Sequence, residues 1–119
     1  MKTEKTAARG TPRLDLALAA RLVPDPSEGE GVLEVTTRDL GGGGVLCEGP
    51  VAPPRGARFT LQLTLPGEAG GTRLSVPVRV VRVDGSGPFV LALQYADPAD
   101  GALETIRRFV QLKRARRSG

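Results

Sequence analysis

Along most of its length the chain alternates apolar and polar residues with a period of two. That pattern restricts it to a fold of half-buried strands. Leu14, Leu16, Leu18, Ala20 and Leu22 alternate with Asp15, Ala17, Ala19 and Arg21 in a first strand. Leu33, Val35 and Thr37 alternate with Glu34, Thr36 and Arg38 in a second, and Val45 to Glu48 begins a third. Phe59, Leu61, Leu63 and Leu65 mark the fourth, and Leu74, Val76, Val78 and Val80 the fifth. The fifth loses register at Val80-Val81 and resumes at Val83 on the opposite parity, which predicts a β-bulge. Pro77 places that region at an edge or at the bulge itself. Phe89, Leu91, Leu93 and Tyr95 make the sixth. Segments 24–31, 50–56 and 84–88 are rich in proline or glycine and read as connections.

The period changes once, after Tyr95. Leu103, Ile106 and Val110 recur at helical spacing with Phe109 beside them. Asp97 reads as the N-cap, Pro98 as the first helical residue, and Asp100 as favourable charge in the first turn. Glu104 precedes Arg107 and Arg108 by three and four residues, a favourable pairing. Six closely spaced strands and one terminal amphipathic helix predict a mainly β fold. It is a small six-stranded antiparallel barrel with the C-terminal helix packed against it. With 119 residues there is one domain, expected over 9–112, between a flexible tail at 1–8 and a basic tail at 113–119.

Charge is distributed unevenly. The formal net charge is +4, yet Arg107, Arg108, Lys113, Arg114, Arg116 and Arg117 carry six positive charges with no acid among residues 107–119. The remainder holds 11 basic against 13 acidic groups. No apolar run is long enough to span a bilayer and the N-terminus has no apolar signal core, so a cytoplasmic protein without membrane contact is expected. There is no histidine, and the single cysteine, Cys47, lies in an apolar strand as a small buried hydrophobe. The acids form no pair at a catalytic spacing and no metal-ligand cluster, so neither an enzyme nor a metal site is expected.

One stretch does not serve packing by its composition. Asp39-Leu40-Gly41-Gly42-Gly43-Gly44 joins the second and third strands. Glycine has no side chain to bury and loses the most entropy on folding. Four in a row therefore read as a turn that lets another group approach the main chain, with Asp39 as its hydrogen-bond acceptor.

Arg9-x-x-x-Arg13, followed by Asp39-x-Gly41-x-x-Gly44, resembles the signature of the PilZ domain family. That family carries R-x-x-x-R and then [D/N]-x-S-x-x-G, on a six-stranded antiparallel barrel with a C-terminal helix. The resemblance covers nearly the whole chain. It implies a bacterial stand-alone receptor for the second messenger cyclic di-GMP, an effector that relays binding to a separate downstream protein partner. It also implies the site residues Arg9, Arg13, Asp39, Gly41, Gly43 and Gly44, with cyclic di-GMP as ligand and no cofactor. The residue types suit such a ligand. Arginine pairs bidentately with phosphate or with the guanine O6/N7 edge, and a carboxylate accepts from guanine N1–H and N2–H₂. Arg9 and Arg13 would clamp phosphate and guanine, while Asp39 and Gly44 would shape the second surface and the glycines would admit the ligand to the backbone.

The chain departs from the family pattern at Gly41, where the family has serine. A hydrogen bond to a charged phosphate is worth about 1.5–3 kcal/mol, so binding is expected to weaken about tenfold or more rather than vanish. Two other readings stay open on the residues alone. A degenerate PilZ-like adaptor would act through protein contacts without nucleotide. A nucleic-acid-associated protein would use the basic C-terminal helix, although Phe59, Phe89, Phe109 and Tyr95 read as core rather than as stacking platforms.

Overall fold

The computed structural model describes residues 13–26, 31–98 and 100–118. Among the described residues seven strands precede one α-helix. They are β1 (Arg13–Asp15), β2 (Ala19–Pro24), β3 (Leu33–Gly41), β4 (Gly44–Gly49), β5 (Arg58–Leu65), β6 (Thr72–Asp84) and β7 (Phe89–Tyr95), followed by α1 (Gly101–Ser118). All pairings are antiparallel, and β3, β2, β5, β6, β7 and β4 close into a six-stranded ring. β1 pairs with the far half of β3 as a seventh, short strand. The expected barrel with one terminal helix is the observed fold.

The alternation predicts the inner face well. Val35, Leu61, Leu63, Val76, Val78, Val80, Leu91 and Leu93 are buried in the ring. Leu103, Ile106 and Val110 of α1 are buried with them, so the helix adds its apolar stripe to the same core. Fully burying each such side chain is worth about 1.5–3 kcal/mol. The bulge expected in the fifth strand lies between Val80 and Arg82 of β6 and turns Val81 outward, 38% exposed. Pro77 precedes that bulge. Contrary to expectation it is at neither a sheet edge nor the bulge. It pairs with Thr60 of β5, and on the other side its carbonyl accepts from the Ala96 N–H at 2.9 Å just past the end of β7. The ladder there does without the N–H that proline lacks.

Three further expectations are corrected. The first strand is broken in two, because residues 16–18 leave the ladder. Thr37 fills the gap: its Oγ1 accepts from the Leu18 N–H at 2.8 Å and donates to the Leu16 carbonyl at 2.5 Å. A buried hydroxyl thus replaces the strand bonds that the break removes. The helix starts at Gly101 rather than at Pro98, and Asp100 is its cap, accepting from the Ala102 N–H at 2.8 Å. Asp97 stands outside, in the preceding turn, where its carbonyl accepts from the Asp100 N–H. Finally, the segment read as a basic tail is helix through Ser118. Its last turns are rich in arginine and lysine, which suits the negative end of the helix dipole.

Candidate functional site

β3 contains a second bulge. Thr37 pairs with Cys47 of β4, but Asp39 pairs with Leu46, so the register slips by one across Arg38. Val35, Thr37 and Leu40 consequently face the interior, the last two separated by three residues instead of two. A regular strand continuing from Val35 and Thr37 would have driven Asp39 into the apolar core. The slip places it outside and sends Leu40 in.

There it meets Arg13. β1 sets Arg13 opposite Gly41 and Asp15 opposite Asp39, with Leu14 buried between them. Arg13 Nη1 donates to Asp39 Oδ1 at 2.5 Å, with the side chains 52% and 15% exposed. Residues 26 apart in sequence thus become diagonal neighbours on one face of a strand pair. Asp15 is exposed and directly opposes Asp39, so two carboxylates share this face with one guanidinium.

The glycine stretch is shorter as a turn than its composition implies. β3 runs through Gly41 and β4 begins at Gly44, so only Gly42 and Gly43 bend. Gly41 is buried opposite Arg13, whereas Gly43 is exposed at the tip. Gly44 has a packing role. A Cβ there would lie 2.2 Å from the Leu93 carbonyl oxygen, because β7 passes that close. Its φ is outside the left-handed region, so close approach rather than backbone freedom requires glycine.

The carbonyls of the turn are held from behind. Tyr95 Oη donates to the Gly41 carbonyl at 2.8 Å, Arg107 Nε to the Gly42 carbonyl at 3.0 Å, and the Tyr95 N–H to the Gly43 carbonyl at 3.4 Å. About two helical turns further along α1, Arg114 Nη1 donates to the backbone carbonyl of Arg13. Burial pushes the Tyr95 phenol well above its ordinary range, so it stays a donor. With carbonyls turned toward Tyr95 and α1, the outer side of the turn is left to Arg13, Asp39 and the exposed Gly43. Cys47 is fully buried behind Asp39; burial first, and then the Asp39 charge, push its thiol up to about 12. It is an inert apolar filler, not a nucleophile.

The structure therefore brings Arg13, Asp39, Gly41 and Gly43 to one outer corner of the barrel, with Gly44 built into the wall beneath. Arg9 lies outside the described residues. Sequence reasoning missed Tyr95 and Arg107, which read as a core aromatic and a helix-surface charge. Only the bulge and the helix position reveal what they touch. Among the described residues no group of three or more His, Cys, Asp or Glu can hold a metal ion. Among the same described residues no helix is long and apolar enough to cross a membrane.

The PilZ domain model matches residues 8–112, nearly the full length. The chain belongs to the PilZ domain family. No curated protein matches it by sequence. Among solved structures, this PilZ chain superimposes on the inhibitor of motility MotI/DgrA of Bacillus subtilis with a TM-score of 0.77 at 17% identity, covering 97% of the chain and 55% of that protein. It also matches the PilZ domain of Escherichia coli YcgR solved with c-di-GMP, with a TM-score of 0.65 at 16% identity, covering 92% and 95% of the two chains. The longer YcgR structure in complex with c-di-GMP gives 0.72 at 14% identity, with coverages of 94% and 49%. This PilZ chain thus spans about half the length of MotI and of the longer YcgR chain, and nearly all of the YcgR PilZ domain. At these identities the likeness is one of fold.

Proposed function

We propose that this PilZ domain is a cytoplasmic, non-enzymatic receptor that binds cyclic di-GMP at the corner formed by Arg13, Asp39 and the Gly41–Gly44 turn. Arg9 completes the clamp, and binding is relayed to a separate protein partner. The observation that carries the reading is the outward placement of Asp39 beside Arg13. A strand bulge spends one residue to put a carboxylate where a guanine N1–H and N2–H₂ can reach it. Next to it stands a planar guanidinium suited to phosphate or to the guanine O6/N7 edge. Because the Arg13 side chain is half-exposed, it can exchange its bond to Asp39 for the ligand without breaking the core. The relatives solved with c-di-GMP share this fold.

Calorimetric titration of the full chain with cyclic di-GMP tests the proposal, with GTP as a control. Saturable binding is expected, lost in Arg9→Ala, Arg13→Ala and Asp39→Ala and absent for GTP. No heat and no rise in melting temperature at millimolar ligand would reject it. The chain would then be a PilZ adaptor acting through protein contacts alone, the reading that Gly41 in place of serine favours.

A further inference from the structure

Helix α1 approaches the nucleotide corner along one stripe. Arg107 and Arg114 are close to two full turns apart, so they leave the helix on the same side. Arg107 ends on the Gly42 carbonyl and Arg114 on that of Arg13. Burial pushes the Tyr95 phenol up, while the charges of Arg107 and Arg13 pull it down. Both guanidinium groups therefore lie within electrostatic reach of the ring that anchors Gly41.

Strand register explains why Arg114 arrives beside Gly41. The Leu16 N–H donates to the Arg38 carbonyl, which makes Leu14 and Leu40, two residues back, a hydrogen-bonded pair of the same ladder. Arg13 and Gly41 are then a non-hydrogen-bonded pair, with Cα atoms about 4.5 Å apart. The backbone groups of Arg13 turn away from β3, toward the free edge of β1, and its carbonyl meets Arg114 there. A guanidinium from α1 thus stands at the residue directly opposite Gly41, where the family's serine hydroxyl is missing.

The two arginines of the stripe differ in what they leave free. Arg107 is half-buried, with its Nε engaged behind the hairpin. Arg114 is exposed, and the carbonyl takes one of its five N–H donors. Among the described residues no carboxylate pairs with it. Capping one carbonyl at a strand edge does not require a full charge. An exposed cation with spare donors beside Arg13 suits a phosphate. Arg114 also lies beyond residues 8–112, the part that matches the family model, so the family pattern does not assign it.

We propose that Arg114 is a further ligand-binding residue of this corner, donating to a phosphate of cyclic di-GMP beside Gly41. The assignment rests on the receptor reading above. It partly offsets the absent serine and brings the end of α1 into contact with the ligand.

Calorimetry on the full chain compares the wild type with Arg114→Gln and with Arg108→Gln, which removes the same charge from another, exposed side of α1. Arg114→Gln is expected to weaken cyclic di-GMP binding about tenfold or more and to flatten its dependence on salt. Arg108→Gln is expected to leave the affinity near that of the wild type. Gly41→Ser should recover more affinity in the Arg114→Gln background than it adds to the wild type, since both donors serve one phosphate. In the wild type the ligand is expected to slow amide exchange over residues 111–118. An Arg114→Gln variant that melts lower but keeps the wild-type salt dependence makes the residue merely structural and overturns the assignment. So do undiminished binding by Arg114→Gln, equal gains from Gly41→Ser in both backgrounds, or exchange at 111–118 indifferent to the ligand. Those outcomes leave the receptor reading standing, whereas no binding by the wild type rejects both.

Discussion

The phenol of Tyr95 donates to the carbonyl of Gly41 from 54 residues away, at 2.8 Å and out of contact with solvent. This bond fixes the hairpin from beneath while Arg13 and Asp39 stand on its outer side. Tyr95→Phe keeps the ring and leaves a buried carbonyl unpaired. It is expected to lower stability by about 1–3 kcal/mol in urea unfolding. An unchanged midpoint would mean that the turn does not need this anchor.

Gly44 sits where β4 passes β7 too closely for a side chain. Gly44→Ala forces its Cβ into the Leu93 backbone, and a loss of about 3 kcal/mol or more is expected. Gly43→Ala at the exposed tip serves as the contrast, with a far smaller effect. Equal effects at the two positions would refute the packing role of Gly44.

The site lacks the family's serine at Gly41. Gly41→Ser is expected to tighten cyclic di-GMP binding about tenfold, the worth of one hydrogen bond to a charged phosphate. Calorimetry measures the gain, and the melting temperature shows whether the buried position accepts the hydroxyl. A folded variant with no gain would place the ligand phosphates elsewhere.

Asp15 and Asp39 face each other across β1 and β3. Asp15→Asn removes that repulsion and is expected to stabilise the fold by about 0.2–1 kcal/mol, less at high salt. The same change makes the corner less negative, so affinity for an anionic ligand should rise. Thermal melts at two ionic strengths check the first part and titrations the second.

Cys47 titrates at about 12 in the folded chain against an ordinary value near 9. The folded state therefore holds its proton more tightly. The stabilisation is complete below pH 9 and is lost as pH rises from 9 toward 12, at up to about 1.4 kcal/mol per pH unit for one group. Tyr95, also shifted upward by burial, contributes in the same direction at still higher pH. Unfolding curves of wild type and Cys47→Ala are expected to converge as pH rises above 9. Parallel curves would count against the shift.

Much of this protein was legible in its sequence. Alternation at period two placed the strands, since a strand that buries one face must repeat every second residue. The slip at Val80-Val81 was visible because apolar residues changed parity, and the helix stripe because it repeats at 3.6. The PilZ motif marked Arg13 and Asp39 as residues of one site, though not as each other's partners. What the chain could not declare was where the pattern is interrupted by a polar group serving the backbone. Thr37 reads as an ordinary strand residue, yet its hydroxyl sustains the break between β1 and β2. Leu40, apolar at the wrong parity after Thr37, was the one sign of the β3 bulge.

Sequence determined the barrel, the helix and the chemistry available at the corner, because hydrophobic period and residue type are local properties. Tertiary structure decided that Asp39 faces outward, that Gly44 belongs to the wall, and that Tyr95, Arg107 and Arg114 hold the carbonyls of the hairpin and of Arg13. Those facts depend on how closely β7 and the helix approach β3 and β4. Such distances are set by packing the whole core and are written in no single stretch of the chain.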